Sequence, residues 1–176
     1  MTEVAEKLNN QALLLAERGS FDDAIACLNR ALTLERDNYL LWYNLGITYR
    51  DAGKLPEAKI ALEKAADINP EDEDTLDSLA ILCFLMDEPD ESLLYCAEGL
   101  ELNPQNPTFW NTTGVVYFNR QQYNDACYAF EQAVILNPYY YDALFNLRDT
   151  YERLGNEKGY EICRAKLKEM NKLGYN

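Results

Sequence analysis

At 176 residues the chain has room for one domain or one continuous array, and 48% apolar content is enough for a folded core. A net charge of −14 excludes a phosphate backbone as partner, and the absence of histidine removes the usual general base, the commonest metal ligand and the usual pH switch. The five cysteines, at 27, 83, 96, 127 and 163, contain no C-x-x-C pair and read as small, reduced, buried hydrophobes.

The N-terminal "MTEVAEKLNN" has neither the basic n-region nor the apolar h-region of a signal peptide, and no apolar run approaches the roughly 18 residues that a membrane span needs. The expectation is a soluble, cytoplasmic protein with no membrane partner. In chain order, the first segment, 5–38, places Leu8, Gln11, Ala12 and Leu15 at i, i+3, i+4 and i+7, one face of a helix. Gly19 marks a turn, and Ala24, Leu28 and Ala31 form a second face. Segment 39–72 repeats the layout with Trp42, Leu45, Gly46 and Tyr49, then Gly53, then Ala58, Leu62 and Ala65, then Pro70. Segment 73–106 has Leu76, Leu79, Ala80 and Cys83, then Ser92, Cys96 and Gly99, then Pro104. Segment 107–140 has Trp110, Thr113, Gly114 and Tyr117, then Ala126, Phe130 and Ala133, then Pro138. The last, 141–174, keeps Leu144, Leu147, Tyr151 and Gly155 but loses the second pattern in "EKGYEICRAKLKEMNK", with Tyr160, Arg164 and Leu167. That polarity suits a terminal cap whose outer face meets water.

Each segment therefore predicts two short helices joined by a tight turn. The small residues at Ala12, Gly46, Ala80 and Gly114 let the paired helices approach closely. Proline lacks an amide hydrogen and pushes its predecessor out of α geometry, so it ends each second helix. One hairpin cannot bury its apolar face alone, but stacked neighbours can.

The columns W-x₂-L-G-x₂-Y, then A-x₃-F/L-x₂-A, then P, resemble the tetratricopeptide repeat. Segment 39–72 matches every signature column, with Leu62 at the aromatic one; segment 5–38 carries Arg36 where the proline belongs. The resemblance implies an all-α, right-handed solenoid of antiparallel helix pairs over 1–176: four repeats plus a degenerate fifth as cap. It also implies a non-catalytic scaffold or adaptor that binds a peptide or helical segment of another protein in a concave groove. The groove would be lined by the first-helix faces that point away from the signature stripe.

Read across the repeats, the sixth position gives Asn10, Asn44, Ser78, Thr112 and Asn146, a row of amides and hydroxyls suited to an extended backbone. The fifth gives Tyr43, Asp77 and Asn111 among its members. Ile47, Ile81, Phe84, Val115 and Phe118 supply apolar anchorage, because a face away from the core has no structural reason to carry two phenylalanines. Between Lys64 and Arg120 there are twelve carboxylates and no base, whereas the flanking segments are nearly balanced. Asp74 and Asp77 lie in that stretch and favour a basic partner. The alternative use of the array is self-assembly, through an open end or through "YYY" at 139–141.

Some members of the family clamp acidic chaperone tails with a Lys, Asn and Arg set. The corresponding positions here are Asn9, Leu13, Asn44, Asp74 and Ser78, of which only Asn44 matches, so that use is not expected. No glycine-rich phosphate loop and no Ser or Cys with a base is visible. "EDED" at 71–74 fits no defined calcium loop. No catalytic residue, metal or cofactor is expected.

Overall fold

The computed structural model describes residues 2–174, which form ten α-helices and no strand. They are α1 (Thr2–Glu17), α2 (Phe21–Leu34), α3 (Tyr39–Asp51), α4 (Leu55–Ile68), α5 (Glu73–Leu85), α6 (Pro89–Leu102), α7 (Pro107–Asn119), α8 (Tyr123–Leu136), α9 (Tyr141–Arg153) and α10 (Glu157–Leu173). From the second repeat on, each first helix opens at the first residue of its expected repeat: 39, 73, 107 and 141. The chain divides into two compact units, Met1–Glu88 with α1–α5 and Pro89–Asn176 with α6–α10. The 73–106 repeat thus contributes one helix to each. Of the array expected over 1–176, Met1, Tyr175 and Asn176 lie outside the described residues.

Local chemistry sets the helix limits. Asn38, Asp72, Asn106 and Asn156 are N-caps whose side-chain oxygens accept from the backbone N–H groups of Leu40, Thr75, Thr108 and Gly159 at 3.0–3.1 Å. The second helices end at Ile68, Leu102 and Leu136, each just before an Asn-Pro step. Asn103 and Asn137 brace two of those steps by accepting from the N–H two residues on.

The small-residue column has the predicted cause. Ala12, Ala80, Gly46 and Gly114 are buried. A Cβ on Gly46 would stand 2.6 Å from Leu62 Cγ, and one on Gly114 would stand 2.5 Å from Phe130 Cε1. The second-helix columns Ala24, Ala58 and Ala126, and Leu28, Leu62 and Phe130, are likewise fully buried.

Two further buried columns escaped the sequence pattern. Leu41, Thr75, Phe109 and Ala143 form one; Thr48, Leu82, Val116 and Thr150 form the other. They are buried because α3 packs on both α2 and α4, and α7 on both α6 and α8, so a first helix has two covered faces. Threonines fit there because Thr48 and Thr150 donate their hydroxyls to the carbonyls of Asn44 and Asn146, both at 2.7 Å. The largest of these side chains, Phe109, presses its ring on Gly99, where α2, α4 and α8 carry alanine. Trp42 and Trp110 sit at the edge of the packing. They are half-buried; the Trp42 indole donates to the Arg36 carbonyl at 2.7 Å, and Trp110 meets Tyr128 edge-on.

Every turn within a repeat uses the same left-handed residue. Gly19, Gly53 and Gly155 take it at φ 68–76°, as expected, but Asp87 and Gln121 take it at 62° and 60° with side chains attached. The conformation is enforced by backbone bonds that close the preceding helix, such as Gln122 N–H to the Tyr117 carbonyl at 2.9 Å. Two outcomes follow. Gln121→Gly should raise unfolding stability by about 1 kcal/mol, since a non-glycine residue in this region costs roughly 1–2 kcal/mol. Gly114→Ala should lower it by about 1–3 kcal/mol through overpacking against Phe130. Urea titration followed by circular dichroism measures both; an unchanged midpoint for Gly114→Ala would contradict the clearance role.

Candidate functional site

With α3, α7 and α9 each covered by a second helix on two faces, one narrow strip of each remains open. In the first unit α1 and α3 lie side by side and enclose a cleft of about 310 Å³. Leu13, Ala16, Tyr43, Asn44 and Ile47 line it, with the Glu17 and Asp51 carboxylates also in its wall. In the second unit α7 and α9 stand in the same relation. They hold a smaller hollow of about 90 Å³ lined by Val115, Phe118, Asn146 and Asp149, with Phe130 of α8 as a further wall. The structure thus brings Tyr43, Asn44 and Ile47 together in one place, and Val115, Phe118 and Asn146 in another.

The amide row is organised differently from the sequence expectation. Asn44 donates to Asn9 Oδ1 at 2.8 Å, and Asn146 donates to Asn111 Oδ1 at 3.1 Å. Both bonds join neighbouring first helices at a spacing of 35 residues, one repeat plus one step. The amides are therefore fixed in orientation, with one donor of each pair already engaged. The signal was present in the sequence as Asn at the fifth position of one repeat and the sixth of the next, but only packing shows that the two meet. Asn10 is exposed, since no described helix precedes α1. Ser78 and Thr112 are only 6% and 7% exposed.

On α5, Asp74 is exposed and Asp77, Ile81 and Phe84 are half-buried. Phe118 is half-buried too, and packs edge-on against Tyr123 with centroids 5.3 Å apart. That contact holds the ring in place rather than leaving it to solvent. Several acids of the middle stretch have local duties. Asp72 caps α5, Glu73 and Asp74 lie in its first turn, and Asp90 and Glu91 lie in the first turn of α6, where the helix dipole favours negative charge. Asp90 also meets Arg120 at 2.6 Å. The three tyrosines at 139–141 part company: Tyr139 is exposed, Tyr140 is the N-cap residue of α9, and Tyr141 packs on the core of the second unit.

A half-buried polar centre that sequence reading missed lies between α8, α9 and α10. Tyr151 donates its hydroxyl to Glu131 Oε1 at 2.7 Å, and the Cys127 thiol approaches the same oxygen at 3.5 Å. Burial, and then the Glu131 carboxylate, push the Cys127 thiol up to about 12. Burial pushes Cys163 upward as well, and burial with the bond to Glu131 raises the Tyr151 phenol. These thiols stay protonated at neutral pH and serve as packing groups, not nucleophiles.

The tetratricopeptide repeat family models match residues 9–73 and 107–140. A probable UDP-N-acetylglucosamine–peptide N-acetylglucosaminyltransferase, SPINDLY, of Hordeum vulgare is 25% identical over 140 residues, which are 76% of this chain and 15% of that protein. The chain thus spans a small fraction of that relative's length. Among solved structures, MamA superposes with a TM-score of 0.83 at 22% identity, covering 98% of this chain and 96% of its own. YrrB, described as a tetratricopeptide protein with an unusual peptide-binding site, superposes at 0.69 with 24% identity, covering 93% and 84%. Both share the fold. No described helix is long and apolar enough to cross a membrane.

The Glu131 centre makes a pH prediction. The folded Cys127 pKa lies above its unfolded value near 9, so its stabilising contribution is complete below about pH 9 and is lost as pH climbs toward 12. The urea midpoint should fall across that window in the native chain and fall less steeply in Cys127→Ala. Parallel curves for the two proteins would refute the assignment.

Proposed function

We propose, on the premise that the chain belongs to the tetratricopeptide repeat family, that it is a non-catalytic protein-interaction scaffold whose first-helix clefts hold a segment of another protein. The observation that carries this reading is the recurrence of one cleft design in both units: apolar side chains beside an oriented pair of asparagines. Leu13, Tyr43 and Ile47 in the first unit, and Val115 and Phe118 in the second, would take apolar side chains of the segment. The asparagine pairs, each fixed by its own hydrogen bond, would offer their remaining amide groups to its backbone at little entropic cost. Ile81 and Phe84 on α5 extend the apolar set, and Asp74, with Asp77 one turn on, biases the choice toward a basic segment.

The carboxylates would act through the field more than through contact. Arg50 already neutralises Asp51 at 2.9 Å, and Arg148 neutralises Asp149 at 2.6 Å. An exposed ion pair contributes only about 0.2–1 kcal/mol. A net charge of −14 steers a basic partner over a longer range, and salt screens that steering.

Affinity capture on the immobilised full chain at two salt concentrations, followed by mass spectrometry, supplies the segment; titration then measures it. Ile47→Ala and Phe118→Ala should each weaken binding by about 1–3 kcal/mol, the range of a truncated apolar anchor, and leave helical content intact. Higher salt should slow association more than it speeds dissociation. Undiminished binding by both variants would remove the clefts from the site.

A further inference from the structure

The second helices carry a repeated feature that the groove does not use. One position on α4, α6, α8 and α10 is a large, exposed apolar residue: Ile60, Leu94, Tyr128 and Ile162, spaced 34 apart and 56–66% exposed. Tyr128 leans edge-on against Trp110, but the three aliphatic residues have no core to serve. On α8 the same face continues one step of seven further to exposed Ile135 and on to Tyr139, whose ring lies 5.5 Å from Lys166 Nζ of α10. α8 packs with α6 on α7 and with α10 on α9, which sets the three second helices along one side of the second unit.

The charges around this row follow a gradient. At four residues before and four after the apolar position, α6 carries Asp90 and Glu98, α8 carries Asn124 and Gln132, and α10 carries Lys158 and Lys166. The sequence runs acidic, neutral, basic across three successive second helices of one unit. A face with that gradient is complementary to itself when turned about a two-fold axis along α8. The operation sets α6 of one copy opposite α10 of the other and keeps both helices running in the same direction. Asp90, which Arg120 of its own copy also meets at 2.6 Å but which stays open to solvent, then stands level with Lys158 of the other copy, and Glu98 with Lys166, while Tyr128 meets Tyr128 on the axis. Each pairing occurs twice, as an isologous interface requires.

We propose that this face is a homodimer interface whose occupant is a second copy of the chain in that orientation. Leu94, Tyr128 and Ile162 supply the apolar contact, and the flanking charges select the register. Glu101 and Glu169, one step of seven beyond Leu94 and Ile162, carry like charge and mark where the interface ends. The remaining in-plane alternative sets α6 against α6 and α10 against α10, which opposes like charges, so the gradient itself fixes the orientation. The proposal uses none of the cleft residues and stands or falls separately from them.

Sedimentation equilibrium of the full chain over a concentration series at low salt tests it. The mass should rise from 20.3 kDa toward twice that value, and less so at high salt. Lys158→Glu with Lys166→Glu should stay monomeric, as should Asp90→Lys with Glu98→Lys. An equimolar mixture of the two double variants should recover the dimer, since each then meets its complement on both sides. Ile162→Ser, which alters no charge, should also lower association, with circular dichroism reporting intact helices. A native chain that stays at 20.3 kDa throughout, or a mixture that fails to associate, overturns the proposal.

Discussion

The close approach of paired helices at one column carries the whole arrangement. Gly46 lies against Leu62, and Gly114 against Phe130, at distances that leave no room for a methyl group. Ala12 and Ala80 hold the same column with full burial. When the helices of a hairpin sit this near, dispersion contacts are made along their full length. The hairpin then presents a flat apolar side to the next. Widening that gap would loosen both hairpin and stack, because each repeat draws its core from its neighbours. The pairing of Gly99 with Phe109 shows the same principle with sizes exchanged: the larger ring is accepted where the facing residue gives up its side chain.

Covering two faces of α3, α7 and α9 has a consequence for the side that stays open. The strip left open is narrow, and its polar groups must be satisfied whether or not a ligand is present. The Asn9–Asn44 and Asn111–Asn146 bonds meet that demand. They also tie one hairpin to the next with a directional contact, which an apolar core lacks. The same two pairs therefore hold their remaining amide groups in fixed orientations. The Phe118–Tyr123 contact likewise fixes the Phe118 ring.

Charge in this protein is arranged at two scales. Locally, acids cap and begin helices, and Lys54 with Asp22, Lys59 with Glu88, and Arg120 with Asp90 tie adjacent hairpin segments together. The Lys54–Asp22 pair raises the lysine and lowers the aspartic acid through its hydrogen bond, although both are open to solvent. At the larger scale, the middle stretch is acidic and the C-terminal stretch balanced. The first-helix clefts hold Glu17, Asp51 and Asp149, two of them paired with arginine, whereas the second helices of the C-terminal unit grade from acidic α6 to α10, where bases outnumber acids.

The amino-acid order by itself determined the helices, their pairing and the repeat length. Those follow from local rules: apolar spacing at i, i+3, i+4 and i+7, a glycine where the turn is left-handed, an Asn-Pro step where a helix must stop. It also identified Tyr43, Asn44 and Ile47 as neighbours on one helix face. Only the tertiary structure decided which residues of different helices meet. It buried the Leu41 and Thr48 columns, because a second neighbour covers a face that periodicity leaves open. It joined Asn44 to Asn9, placed Ser78 and Thr112 below the surface, and gathered Cys127, Glu131 and Tyr151 from two helices into one centre. It also put Asp87 and Gln121 in a conformation that their side chains disfavour, because five equivalent turns need the same backbone path. A repeat pattern records what each unit needs from any neighbour; which atoms of that neighbour answer is settled by packing.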